Sequence, residues 1–325
     1  MIKRDSSLDT IAGIMTIYMI YIHICPWVGI SPLPHVGKFL FFFMAWFFYK
    51  SGMFFHNISF SECYKKGIQR LMIPYIIFSI IGWFMFFIRD VIKQEITEQY
   101  FINSLRQILH EGAVAGNAPL WFLFTLFCVR IIFYLVHKLK QYSGIPICFF
   151  GILAYILNFW HIKDYYWISN ICSGMFFFGC GYILKNVQYN KYLFIISVIT
   201  YIGIIIYIPT FVDFRSNTFT KGNYIAWILS SLAGIITFNN IFKYIPVRFK
   251  LLNNIGKDSM SYYVTHWIIL SITYVLFFEF IEQEEKKIWF ILYLVFLILL
   301  LPLANVLFKT KKLRWTLGIS VKQKS

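Results

Sequence analysis

The chain has 325 residues, of which 59% are hydrophobic and only 14% charged, and its mean hydropathy is +0.67. Soluble domains carry about 25% charged residues, so this composition excludes an ordinary soluble protein and indicates one embedded in a membrane. The formal net charge of +16 would suit a nucleic-acid partner, but the placement of the basic residues excludes that class.

Ten apolar runs are long enough for membrane-spanning helices, each of which needs about 20 residues. They leave little chain for a soluble domain. We therefore predict an all-α, polytopic bundle of about ten transmembrane helices, forming one domain over residues 1–325. In chain order the runs lie near residues 9–29, 37–56, 71–88, 120–137, 145–160, 169–185, 192–209, 224–242, 261–280 and 288–308.

The basic residues follow the positive-inside rule. With the N-terminus in the cytoplasm, 19 of the 30 Lys and Arg residues fall in cytoplasmic segments and eight in external loops, where ten of the 14 carboxylates also lie. The other three are Lys38, Lys50 and Arg130, which fall within the apolar runs. Both termini are therefore predicted to be cytoplasmic. The six cysteines show no paired metal spacing, so neither zinc nor a disulfide framework is expected.

The first run carries the clearest sign of chemistry. It begins at Asp9 and reaches His23 near its outer end, and at 100° per residue Asp9, Ala12, Thr16 and His23 share one helix face. An ionisable side chain is costly inside a bilayer and marks a candidate functional site. The alternatives are a histidine that is satisfied by a backbone carbonyl or lies at the outer interface, and an aspartate favoured only by the helix dipole.

Two cations within the apolar runs are further candidates. Lys50 either snorkels to the inner surface, the common fate of a lysine near a helix end, or serves a site. Arg130 is deeper and needs an anionic partner. The cytoplasmic residues Lys65, Lys66 and Arg70 satisfy the positive-inside rule without any ligand.

Polar residues on the fourth and ninth runs are the remaining candidates. Trp121 is either an aromatic-belt residue at the outer end of its helix or a substrate contact. Ser259, Tyr262, Tyr263 and His266 share one helix face, which is either an inter-helix hydrogen-bond stripe or part of a site.

Several fragments, taken in order, resemble the integral membrane acyltransferases, often called acyltransferase 3. Each fragment alone is weakly specific, but together they extend over nearly the whole chain. They are Leu8-Asp9-x3-Gly13-x9-His23, Lys50-Ser51-Gly52, Lys65-Lys66-Gly-Ile-Gln-Arg70-Leu-Met-Ile-Pro74-Tyr75, Pro119-Leu-Trp121-Phe122-Leu123, Phe176-Phe-Phe-Gly179-Cys-Gly181-Tyr182 and Ile255-Gly256-Lys257-Asp-Ser259-Met-Ser-Tyr262-Tyr263-Val-Thr-His266-Trp267. The family usually has an arginine eleven residues before the histidine, where this chain has Ala12, so Lys50 and Arg130 are the candidates to replace that cation.

The resemblance implies an O-acyltransferase of the inner (plasma) membrane. Its donor would be acetyl-CoA, its acceptor a hydroxyl of a cell-surface or lipid-linked glycan, and it would need neither metal nor nucleic acid. His23 would be the general base or carry the acyl group as a nucleophile, with Asp9 as a second, indirect catalytic candidate. The residues expected to bind donor or substrate are Lys50, Arg70, Arg130, Trp121, Ser259, Tyr263 and His266.

Depth complicates this mechanism, because the predicted spans put His23 in the outer half of the bilayer and His266 in the inner half. Either the pantetheine arm of the donor crosses the bundle, or the acyl group is relayed. The main alternative function is a transporter or flippase for a lipid-linked glycan, although the chain lacks the repeated halves that transporters commonly show. A glycan polymerase is a third alternative, which the few cations of the external loop at residues 89–119 do not favour.

Overall fold

The computed structural model describes residues 5–27, 33–96, 99–138, 144–160, 166–216, 218–244, 249–278 and 286–319. This part of the chain is almost entirely helical. Its α-helices are α1 (Ser6–Trp27), α2 (Pro34–Leu40), α3 (Phe43–Met53), α4 (Phe60–Gly67), α5 (Ile73–Ile92), α6 (Tyr100–Glu111), α7 (Trp121–Lys138), α8 (Gly144–Phe159), α9 (Tyr166–Leu184), α10 (Lys191–Tyr207), α11 (Tyr224–Tyr244), α12 (Lys250–Lys257), α13 (Ser259–Phe278) and α14 (Lys286–Phe308).

Four short segments complete the described fold. A π-helical turn, Ile68–Met72, joins α4 to α5, and 3-10 turns occur at Ala115–Leu120 and Arg314–Leu317. Between α10 and α11 the chain forms an antiparallel hairpin of β1 (Phe211–Asp213) and β2 (Thr218–Lys221).

Each predicted apolar run lies mainly on helix in its described part, so the all-α fold class is confirmed. Among the described residues, five helical stretches are long and apolar enough to cross a membrane, and the count of ten and the cytoplasmic termini stay predictions. The run at 37–56 is not one helix, because the backbone at Phe42 (φ −85°, ψ 8°) separates α2 from α3. The five described stretches that are long and apolar enough to cross a membrane are Ser6–Pro26, Phe60–Ile92, Tyr100–Lys138, Tyr166–Leu184 and Tyr224–Tyr244.

Helix α3 lies in the centre of the bundle. The side chains of Trp46, Phe48 and Tyr49 are fully buried. Helices α3 and α9 meet backbone to backbone at two glycines. A Cβ added to Gly52 would lie 1.9 Å from the Phe178 carbonyl oxygen, and one added to Gly181 would lie 2.0 Å from the Tyr49 carbonyl oxygen. Small residues at helix interfaces permit this close approach in membranes.

Helix α1 makes a second backbone contact, with α12. A Cβ on Gly13 would lie 2.2 Å from the carbonyl oxygen of Leu252, and a Cβ on Gly256 would lie 1.7 Å from that of Asp9. The first half of α1 and the whole of α12 are therefore side by side. This contact fixes the level at which α13, which follows α12 directly, begins beside α1.

We expect Gly256→Ala to lower the apparent melting temperature of the purified protein by roughly 5–10 °C, because the added methyl group forces the two backbones apart. Thermal unfolding in detergent measures this. The matched control is Gly203→Ala in α10, where an added Cβ meets nothing within 4 Å in the described structure. An equal drop in both variants would contradict the close contact.

Candidate active site between two cavities

Two cavities lie inside the bundle, one beyond the other along α1. The inner cavity, nearer the start of α1 and lined there by Thr16, has a volume of about 480 Å³; the outer cavity, lined by His23, has about 450 Å³. Both volumes are in the range of small-molecule sites. Met19, Met44 and Tyr263 line both cavities and form the partition between them.

The inner cavity is strongly basic. No carboxylate is among the described residues that line it, and the Nε of Arg130 is buried without a hydrogen-bond partner in the described structure. Such a cavity suits an anionic ligand, above all one with phosphate groups. Its basic lining residues are Lys50, His56, Lys66, Arg70 and Arg130.

Lys50 reaches from α3 to the first turns of α1. Its Nζ donates to the carbonyl oxygen of Leu8 at 3.4 Å and lies 5.0 Å from the ring centroid of Trp46. Leu8 is one helical turn before Ala12. The ammonium group therefore lies beside the part of α1 where the resemblance leads one to expect an arginine.

The outer cavity is closed on one side by the β1–β2 hairpin. The ring of Phe214 stacks between Trp121, at a centroid distance of 5.8 Å, and Phe48, at 5.6 Å. Arg215 forms an ion pair with Glu111 at the end of α6, and burial lowers the pKa of the Arg215 guanidinium from its usual value. The hairpin thus brings polar and aromatic groups to the cavity that contains His23.

His23 is paired with His266, since the Nδ1 of His23 lies 2.9 Å from the Nε2 of His266. The Nδ1 of His266 lies 2.6 Å from the carbonyl oxygen of Tyr263. A carbonyl oxygen only accepts, so this Nδ1 carries the hydrogen and the Nε2 of a neutral His266 is an acceptor. The Nδ1 of His23 must then donate, which leaves its Nε2 with a free lone pair.

This assignment of hydrogens follows from the hydrogen-bond network. It makes His23 an oriented base, because one ring nitrogen is held by its partner and the other is available to take a proton. The indole ring of Trp267 packs edge-on against His23, with 5.3 Å between ring centroids, and further fixes the imidazole.

The prediction that His23 and His266 lie in opposite halves of the bilayer was wrong. It assumed that the late helix begins at the inner surface. Instead, Gly256 lies against Asp9 and Gly13. His23 lies ten residues beyond Gly13, about 15 Å along α1, and there it meets His266, which lies ten residues beyond Gly256 in α13. The packing of α12 on α1 sets this register.

All but one of the other sequence candidates line a cavity. Lys50, Arg70, Arg130 and Ser259 line the inner cavity, Trp121 lines the outer cavity, and Tyr263 lines both. Asp9 is buried against α12, lines neither cavity among the described residues, and is about 21 Å along α1 from His23. The structure therefore does not bring Asp9 to the histidine pair.

Several lining residues were not predictable from the sequence. Met19 and Met44 look like ordinary core residues, and nothing in their spacing marks a partition. The segment between the apolar runs 192–209 and 224–242 was predicted only as an external loop, although Phe211 and Val212 before Asp213 are typical of a short strand followed by a turn.

A family model described as "Acyltransferase domain", of the acyltransferase 3 type, matches residues 5–304. The chain belongs to this acyltransferase family. The resemblance noted from its fragments is thereby confirmed, and the protein is a membrane acyltransferase. The histidine pair and both cavities lie within the matched residues of this acyltransferase. Comparison with curated proteins and with solved structures returns no match.

Proposed function

We propose that this acyltransferase moves an acetyl group from acetyl-CoA to a hydroxyl group of a cell-surface or lipid-linked glycan in the inner membrane. The observation that carries the proposal is the pair of cavities, one basic and one containing His23, which share Met19, Met44 and Tyr263 as lining residues. An anionic donor and a neutral acceptor can then approach the same point from opposite sides.

The donor occupies the inner cavity in this proposal. Coenzyme A carries several phosphate charges, and three cationic side chains, Lys50, Arg70 and Arg130, line the cavity. The cavity lies towards the start of α1, which the positive-inside rule puts in the cytoplasm, where acetyl-CoA is made. Basic side chains in a partly dry cavity bind phosphate oxygens through charge-assisted hydrogen bonds.

The pantetheine arm crosses the partition to reach His23. Methionine side chains are unbranched and flexible, so Met19 and Met44 can move aside for a thin chain. Tyr263 cannot swing as easily, because its hydroxyl group donates to the carbonyl oxygen of Pro119. Of the two routes that the sequence left open, the structure favours a donor that reaches through the bundle.

The histidine pair performs general base catalysis. The Nε2 of His23 takes the proton of the acceptor hydroxyl group while the hydroxyl oxygen attacks the thioester carbonyl carbon. When the carbon–sulfur bond breaks, the coenzyme A thiolate leaves and takes the proton held by His23. The imidazole thereby returns to its neutral form. As His23 becomes positively charged, its Nδ1–H bond to His266 becomes charge-assisted and stronger.

The acceptor occupies the outer cavity. Its lining combines aromatic surfaces, such as Trp267 and Phe211, with the polar groups of Asp213 and Arg215. Sites that are mostly apolar with a few placed polar groups bind small ligands specifically. A sugar has both kinds of surface, so a glycan end fits this lining.

We also propose that Lys50 replaces the family arginine absent at Ala12. The variant Lys50→Met should weaken acetyl-CoA binding about tenfold, because it loses one charge-assisted contact to phosphate. Calorimetric titration of the detergent-purified protein with acetyl-CoA measures the dissociation constant.

The control for Lys50 is Lys243→Met, which removes an exposed lysine that lies over the ring of Tyr189 and lines neither cavity in the described structure. Equal affinity in the two variants would remove Lys50 from the donor site. A wild-type protein that binds no acetyl-CoA would contradict the proposed function itself and favour a transporter.

A further inference from the structure

Residues 305–318, at the end of α14 and beyond it, connect two walls of the inner cavity. We call them the C-terminal clamp. They follow directly after residue 304, where the family match ends, so the family comparison assigns them no role. One end contacts the start of α13, and the other contacts the π-helical turn Ile68–Met72.

The first contact holds the junction of α12 and α13. The Nζ of Lys309 lies 2.8 Å from both carboxylate oxygens of Asp258, and the amide of Asn305 donates to the same carboxylate at 3.0 Å. Asp258 directly precedes Ser259, which lines the inner cavity. The contacts of Lys309 and Asn305 with Asp258 therefore fix the first turn of α13.

The second contact holds the turn that carries Arg70. Gly318 has φ +70° and ends the last 3-10 turn, with its N–H donating to the carbonyl oxygen of Trp315 at 2.9 Å. A Cβ there would lie 2.1 Å from the carbonyl oxygen of Gln69 and 2.8 Å from the Cα of Arg70. Only glycine fits, because both the left-handed backbone and the backbone contact exclude a side chain.

The contacted turn is itself unusual. Ile68–Met72 is π-helical, a wider turn than the α-helix prefers and one found often at functional sites. Its Arg70 faces the same cavity as Ser259. Gly318 thus packs against the backbone of Arg70, while Arg70 itself lines the cavity.

From these contacts we infer that the C-terminal clamp sets the spacing of the Arg70 and Ser259 walls for binding of the donor. Gly318, Asp258 and Lys309 are positioning residues, since they act through Arg70 and Ser259. The inference rests on the proposed function of the inner cavity as the acyl-CoA site. It extends the donor site to a segment beyond the family match.

The test compares Gly318→Ala with Gly203→Ala, whose added methyl group meets nothing within 4 Å in the described structure. Gly318→Ala should raise the dissociation constant and the KM for acetyl-CoA about tenfold, the effect of one weakened charge-assisted contact. The kcat should stay the same, because the histidine pair is untouched. Unchanged KM in Gly318→Ala, with donor binding still sensitive to Lys50→Met, overturns the clamp and leaves the proposed function standing.

A charge exchange tests the other end of the clamp and does not depend on the folding of the glycine variant. Asp258→Lys and Lys309→Asp should each weaken acetyl-CoA binding, and the double variant should restore it. Failure of the double variant to recover affinity, with a melting temperature equal to that of the wild type, overturns the inference. A wild-type protein without affinity for acetyl-CoA overturns the proposed function, and the clamp with it.

Discussion

Replacing His23 with alanine should lower the rate of acetyl transfer by about 10²–10⁴-fold, the usual contribution of a positioned general base. The affinity for acetyl-CoA should not change, because His23 lines the outer cavity and the proposed mechanism has the donor charges bound in the inner one. This separation of binding from chemistry distinguishes a catalytic base from a structural histidine. The measurement is transfer of label from acetyl-CoA to glycan in membranes, with donor binding measured on the purified variant.

The matched control is His137→Ala. His137 is also a histidine on an apolar helix, but its Nε2 lies 3.4 Å from the hydroxyl group of Tyr182, and it lines neither cavity in the described part of the chain. We expect near wild-type transfer from this variant. A His23→Ala protein that is correctly inserted and fully active would end the proposed mechanism.

Removing the partner histidine should cost less than removing the base. We expect His266→Leu to lower kcat by roughly 10–100-fold, since a hydrogen bond to a charged group is worth ~1.5–3 kcal/mol and each ~1.4 kcal/mol is a factor of ten in rate. The lost bond is strongest when His23 carries the proton, so the effect falls on kcat and leaves the KM for acetyl-CoA unchanged. Steady-state kinetics with labelled acetyl-CoA separates the two parameters.

His266→Gln provides the comparison for this prediction, because a glutamine oxygen can accept the hydrogen bond from His23 that a leucine cannot. Its kcat should be clearly above that of His266→Leu. Equal rates in the two variants would show that His266 supports the site by packing alone. A larger loss in His266→Leu than in His23→Ala would reverse the assigned roles.

Much of the fold was predictable, because long apolar runs in a sequence predict membrane-spanning helices. The importance of His23 followed from the cost of an ionisable side chain in such a helix. Its pairing with His266 did not follow, because pairing depends on how far each helix is inserted. That depth is set by the backbone contact of Gly13 and Gly256 with the neighbouring helix, which no single-helix pattern contains.

The parts of the site that depend on tertiary packing could not be predicted from the sequence either. The partition formed by Met19 and Met44 exists only because α1 and α3 lie side by side. The hairpin that brings Arg215 to the outer cavity is short, with strands of three and four residues, and such strands give little periodicity to detect. Basic residues were easier to predict, since cations within or beside apolar runs near one membrane face already pointed to Lys50, Arg70 and Arg130.

In the proposed mechanism, donor and acceptor reach one site from opposite faces of the membrane. Sealed membrane vesicles of known orientation test it most directly, with labelled acetyl-CoA, which does not cross the bilayer, supplied to one face only. We predict that label reaches glycan on the opposite face when the donor is on the cytoplasmic face, and that His23→Ala vesicles transfer none. Label appearing on the face that received the donor, or transfer with the donor on the external face, would contradict the account.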